Sequence, residues 1–218
     1  PAPPGYFERV QEICDEYDIL LVADEVITGF GRCGEMFGSQ TEDLEPDMIA
    51  FAKGVTSAYS PLAGVMMSEE LGNYLREEEP GVGQTFAGSP IACAAGLAAL
   101  EEYETLIPNV RELAPVMESR LRDLEAAHDV VGQVRGRGFH WGVEFVDPET
   151  GDPVFDPRVE SGHNPIHELA DVVEEKGVMV GGGRPSFQVT LSPPFCIDED
   201  DIHEAIDAMD EGIDEVFG

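Results

Sequence analysis

Apolar residues change their spacing several times along this chain. Tyr6, Val10, Ile13, Cys14 and Tyr17 recur at helical intervals and give way to the unbroken run Ile19-Leu-Leu-Val-Ala23. The first pattern predicts an amphipathic helix and the second a strand buried on both faces, together half of a βαβ unit. Met48 to Ala52 and Leu62 to Met67 read as two further short strands. Ser68 is placed to cap a helix over Glu69 to Glu77, and Ser89 to cap another with Pro90 at its first position. After Tyr103 the texture changes. Val110, Leu113, Met117, Leu121 and Leu124 mark a helix that Pro115 is expected to kink or to begin. Phe139, Trp141, Val143 and Phe145 alternate with His140, Gly142 and Glu144, as a strand with one buried face requires. A helix ending at Lys176-Gly177, strands at Val178 to Val180 and Phe187 to Leu191, and a closing helix from Asp198 carrying Ile202, Ile206, Met209 and Ile213 complete an α+β pattern. The expected division is therefore an α/β unit over residues 1–105 and a small α+β unit over 106–218.

Composition sharpens this picture. The chain has 218 residues and 42% hydrophobic content, ample for a core, and a formal charge of -33 from 45 acidic against 12 basic residues. The acids are spread along helix faces such as Glu77-Glu-Glu79 and Asp198-Glu-Asp-Asp201, which argues against nucleic acid or an anionic membrane as partner. Repulsion among so many carboxylates opposes compaction in dilute salt and is screened at high ionic strength, so a protein of a salt-rich cytoplasm is expected. Cys14, Cys33, Cys93 and Cys196 lack any paired spacing, which suggests a reducing compartment and no zinc site. His163 and His167 are four apart, but Asn164-Pro165 breaks the helix that a metal pair would need. No leader or bilayer-length apolar run is visible, and a first residue of Pro in place of Met suggests a fragment.

The chemistry centres on two residues. Only two lysines occur, and one of them, Lys53, follows the apolar segment Met48-Ile-Ala-Phe-Ala52. Upstream, Asp24 ends the run from Ile19 and opens the glycine-rich stretch Thr28-Gly-Phe-Gly-Arg32. An acid after one strand and an amine after another can hold pyridoxal phosphate, with lysine as Schiff base and acid on the pyridinium nitrogen. A carboxylate satisfied by loop amides is the plainer reading of Asp24. Gly29, Gly31 and Gly34 lack the Gly-Lys-Ser/Thr ending of a nucleotide P-loop.

Together Asp24-Glu-Val-Ile-Thr-Gly-Phe-Gly-Arg32, Ala52-Lys53-Gly-Val-Thr-Ser-Ala-Tyr-Ser-Pro-Leu62, Gly83-Gln-Thr85-Phe-Ala-Gly-Ser-Pro90 and Val134-Arg-Gly-Arg-Gly-Phe139 resemble the class III aminotransferases, the ω-amino-acid group of fold-type I pyridoxal-phosphate enzymes. The resemblance implies the second half of that family's large, mostly parallel-sheet domain plus its small C-terminal α+β domain, with the N-terminal half missing. It implies Lys53 as Schiff-base and proton-shuttling lysine and Asp24 on the ring nitrogen. It also implies Val26 against the ring face, Thr85 reaching the cofactor phosphate of a second subunit, and Arg184, after Gly181-Gly-Gly183, on a substrate carboxylate. Val26 as an ordinary core residue, Thr85 as a turn residue and Arg184 as a loop arginine are the plainer readings. Val82-Gly-Gln84 replaces the histidine that the family carries before Thr85. Arg135 and Arg137 read as structural residues of a turn before a strand. The implied activity is amino transfer from an ω-amino acid or amine to a keto acid such as pyruvate, in a cytoplasmic homodimer or larger assembly, with a separate N-terminal half as a further candidate partner. An aminomutase or decarboxylase on the same scaffold, and a truncated non-catalytic fragment, are the alternatives.

Overall fold

A computed structural model of the chain describes residues 2–78, 81, 83–156, 158, 162–182 and 187–218. Two compact units, Ala2–Pro108 and Asn109–Gly218, divide it.

The first unit opens with helix α1 (Tyr6–Tyr17), entered through Gly5 and left through Asp18, both with positive φ. Strands β1 (Val22–Asp24), β2 (Met48–Phe51) and β3 (Gly64–Met67) form a three-stranded sheet in that order. β1 and β2 are parallel and β2 and β3 antiparallel. Helix α2 (Glu69–Glu78) follows, its first turn closed by the Ser68 hydroxyl, which accepts from the Leu71 N–H at 3.4 Å. The Ile19 to Ala23 run does not become a strand buried on both faces. β1 is only three residues long, and Ile19, Leu20 and Val22 each stand about half exposed. The run has the apolarity of a central strand, but within it only Leu21 and Ala23 are partly buried. The apolar stripe of α1 likewise contains no buried residue.

Helix α3 spans Pro90–Ala127 as one element of 38 residues. A fresh start at Pro115 is therefore not observed, and the helix continues through Pro108 as well. An internal proline forfeits one backbone hydrogen bond and costs about 3 kcal/mol. Here both prolines lie on the exposed side, while Tyr103, Ile107, Val110, Leu113, Met117, Leu121 and Leu124 are all buried. The packed stripe outweighs the two local defects.

In the second unit β4 (Val131–Arg137), β5 (His140–Phe145), β6 (Gly181–Gly182) and β7 (Gln188–Leu191) make an antiparallel sheet of order β4-β5-β7-β6. β5 alternates as its sequence predicts, with Trp141, Val143 and Phe145 buried. Helices α4 (Pro165–Glu175) and α5 (Glu199–Phe217) present Ile166, Leu169, Val173, Ile202, Ile206, Met209 and Ile213 to the same core. Asn164 caps α4 by accepting from the Ile166 N–H at 2.9 Å, and Asp198 and Asp201 cap α5 reciprocally at 3.0 Å. Two expectations fail here. The strand foreseen at Val178 to Val180 lies instead at Gly181–Gly182, where the backbone pairs with Thr190 and Val189. Arg135 and Arg137 belong to β4 and not to a turn, and Arg135 forms an ion pair with Glu144 of β5.

Gly136 shows how tightly this hairpin closes: an added Cβ would collide with the His140 carbonyl and the Trp141 ring. Gly136→Ala is expected to destabilise the second unit by roughly 1–3 kcal/mol, read as a lower urea midpoint at unchanged slope. A midpoint equal to the parent's would show that the hairpin has slack the packing denies.

Candidate active site

Asp24 and Lys53 are brought to one edge of one sheet. In the parallel β1–β2 pair Asp24 stands opposite Ala50, so both strands point their carboxyl ends the same way. In parallel α/β sheets that edge is where ligands are held. Asp24 is the last residue of β1, and Lys53 follows β2 after Ala52. Both side chains are exposed.

The lysine sits on an unusual backbone. Lys53 has φ 40°, and Ser57 and Ala58 also have positive φ at 50° and 64°. A left-handed conformation costs a residue with a Cβ roughly 1–2 kcal/mol, so neighbouring contacts must hold it. The one-turn 3-10 helix Lys53–Thr56 supplies some of these, with Val55 N–H donating to Ala52 O at 3.1 Å and Ser57 N–H to Gly54 O at 3.0 Å. The Tyr103 hydroxyl of α3 donates to the Gly54 carbonyl. The fully buried Thr56 donates its hydroxyl to Ser60 O at 2.6 Å.

The two lysines of the chain differ sharply. Lys176 lies 3.1 Å from Glu211 and 3.6 Å from Glu215, and its hydrogen bond to Glu211 raises its pKa above the usual lysine value. No hydrogen bond or ion pair among the described residues engages the Lys53 amine. In a chain of charge -33, one amine left without a carboxylate is available for chemistry. Asp24 is nearly as open: among the described residues its carboxylate accepts only the Val26 N–H, at 3.1 Å to Oδ1. An amine able to condense with an aldehyde and a carboxylate able to pair with a protonated ring nitrogen fit pyridoxal phosphate. Val26, whose N–H makes that bond to Asp24, is half-buried.

Glu25 is the residue that the sequence reading passed over. It is 2% exposed, and its carboxylate accepts the Ser39 N–H at 2.6 Å, the Gly38 N–H at 2.9 Å and the Thr28 hydroxyl. Its own N–H donates to Ala50 O at 2.8 Å, extending the β1–β2 pairing past Asp24, and its carbonyl accepts from Gly29 at 3.0 Å. The available signal was the Asp24-Glu25 doublet. Successive strand residues face opposite ways, so only one of the two acids could face the ligand edge. In the same loop the half-buried Arg32 has its pKa lowered by burial, against smaller opposing effects of Cys33 and Tyr103.

Thr85 lies in an exposed turn leading to α3, in which the Ala87 N–H donates to Gln84 O at 3.0 Å. No hydrogen bond among the described residues joins it to Asp24 or Lys53. Arg184 lies outside the described residues. His163 precedes α4 and approaches Glu168 at 2.7 Å, whereas His167 lies within the helix. No cluster of three or more His, Cys, Asp or Glu able to hold a metal is formed among the described residues, and no helix among them is long and apolar enough to cross a membrane.

Comparison with known proteins places this geometry in a family. The model of the class-III aminotransferases matches residues 1–213. The diaminobutyrate–2-oxoglutarate transaminase of Halomonas elongata is 36% identical over 225 residues, covering 99% of this chain and 47% of its own. A probable mitochondrial gamma-aminobutyrate transaminase of Oryza sativa is 33% identical over 213 residues, covering 94% and 40%. Among solved structures, the PMP-bound aminotransferase from Vibrio fluvialis superposes with TM-score 0.88 at 33% identity, covering 100% of this chain and 48% of that one. The chain thus spans about half the length of the relatives it matches.

Proposed function

This chain belongs to the class-III aminotransferases, and on that premise we propose that it carries the lysine and the pyridinium acid of a pyridoxal-phosphate-dependent transaminase. The Lys53 amine, unengaged among the described residues, and the open Asp24 carboxylate follow the carboxyl ends of one parallel strand pair, and that shared edge is the observation that carries the reading. Enzymes of this family use pyridoxal phosphate, which supplies an electron sink for the substrate Cα–H bond. Lys53 would be the amine that holds the cofactor covalently and the base that moves the substrate Cα proton. Asp24 would pair with the ring nitrogen and favour its protonated form. Val26 would pack against the ring.

The finer assignments are part of the same proposal. Residues 1–105 supply part of the large cofactor domain and 106–218 the small domain. Thr85 serves the phosphate of a second subunit, so the working protein is at least a dimer, and Arg184 receives a substrate carboxylate bidentately. The donor is an ω-amino acid or amine and the acceptor a keto acid such as pyruvate, in a salt-rich cytoplasm. Names of relatives that include diaminobutyrate and gamma-aminobutyrate transaminases support that donor class. The open apolar surface at Ile19, Leu20, Val22 and Val65 to Met67 is where a separate N-terminal half would pack.

Asp24→Asn tests the pairing. It keeps shape but removes the charge, and transamination by the assembled protein is expected to fall about 100-fold, in the range for loss of one preorganised electrostatic partner. Lys53 should still take the pyridoxyl label. Parent-like turnover in the Asn variant would remove Asp24 from the mechanism.

A further inference from the structure

We propose that Glu25 is the positioning residue for Asp24. The inference rests on the reading of Asp24 as the acid of the ring nitrogen. The open carboxylate is the one expected to touch the ligand, yet among the described residues it has a single amide contact to set its direction. Its neighbour is buried and takes three hydrogen bonds from two separate stretches of chain: Thr28 just downstream, and Gly38 and Ser39 on the returning arm of the loop. Main-chain bonds from Glu25 N–H to Ala50 and from Gly29 to the Glu25 carbonyl fix the backbone on both sides of that side chain. The loop is built to close on it. A Cβ at Gly29 would come within 2.7 Å of the Glu25 carbonyl, and one at Gly38 within 3.1 Å of its carboxylate and 2.8 Å of Thr28 Cβ. Residues 24 and 25 share one peptide plane, so the bonds that anchor Glu25 also fix the backbone from which the Asp24 side chain departs, and the Val26 N–H then orients its carboxylate. A buried carboxylate spent on loop amides next to a functional one is an arrangement for preorganisation.

The discriminating probe is the ring nitrogen itself. Pyridoxal phosphate and its 1-deaza analogue, which has carbon in place of that nitrogen, are bound to the assembled parent protein and to Glu25→Gln, with dissociation constants measured for both. The amide can accept from only one of the two sides that the carboxylate serves. If Glu25 works through Asp24, Glu25→Gln weakens pyridoxal phosphate by about tenfold and the analogue by less than about twofold, a coupling that the four-way comparison isolates. Thr28→Val removes one of the three bonds with less risk to folding and should show the same asymmetry at smaller size. Equal weakening of both ligands in these variants would overturn the proposal, because a merely structural role does not distinguish them. A parent protein that forms the Lys53 adduct but binds the two ligands equally would overturn it by removing the nitrogen contact. Absence of any Lys53 adduct in the parent would instead remove the functional reading from which the proposal proceeds.

Discussion

Lys53→Ala in the assembled protein should abolish transamination, with a loss of at least about 10⁴-fold. Positioned proton transfer alone contributes about 10²–10⁴-fold, and this amine is asked both to hold the cofactor and to move the proton. No other lysine can substitute. The only one, Lys176, belongs to the second unit and is occupied by Glu211 and Glu215. The turn that carries Lys53 should survive the change, since its hydrogen bonds run through Gly54, Thr56 and Ser60 and not through the amine. Alanine carries a Cβ as lysine does and meets the same left-handed cost at φ 40°, so the complete loss of activity is expected with little change in stability. Retained turnover with a folded protein would refute the assignment.

The second large effect is on stability. A formal charge of -33 over 218 residues leaves far more carboxylates than cations to meet them. Arg9–Glu12, Arg122–Glu118, Arg122–Glu125 and Lys176–Glu211 are exposed or partly exposed pairs, of the kind that contributes at most about 1 kcal/mol each. The excess repels itself through water. Raising potassium chloride from about 0.1 M to about 1 M shortens the screening length from about 10 Å to about 3 Å. The unfolding midpoint is therefore expected to rise by on the order of 10–20 °C, corresponding to a gain of several kcal/mol for a chain of this size. Differential scanning calorimetry across that series measures it, and a flat midpoint would show that the charge is already neutralised by structure.

Much of the second unit was legible because its residues repeat at the period of the element they form. Val110, Leu113, Met117, Leu121 and Leu124 keep one helical face, Trp141, Val143 and Phe145 keep one face of a strand, and Ile202 to Ile213 keep another helical face. Period reports which side is buried, and these sides are buried. It does not report against what. Ile19 to Val22 has the apolarity of a central strand but stands half exposed, so a correct judgement of hydrophobicity gave an incorrect burial. Proline misled at α3 because its cost is local, while the stripe that carries the helix past Pro108 and Pro115 is distributed over many turns. Gly181 and Gly182 have little strand preference of their own, and only the pairing with β7 makes them one.

At the candidate site, the position of Asp24 and Lys53 after strands was legible because each follows an apolar run. Their arrival at the same edge required the parallel pairing of β1 with β2, which spacing along the chain does not state. Glu25 was invisible for a related reason. Its three donors lie 3, 13 and 14 residues away, and two of them are backbone amides that no side-chain pattern announces.

The central claim is that Lys53 is the amine that holds the cofactor. It is tested most directly by incubating the chain, supplied with the rest of the fold, with pyridoxal phosphate in about 1 M salt, reducing with borohydride, and mapping the pyridoxyl label by peptide mass spectrometry. The account predicts a single label on Lys53, lost in Lys53→Ala. A folded chain that labels at Lys176, or nowhere, when supplied with the rest of the fold, would contradict it.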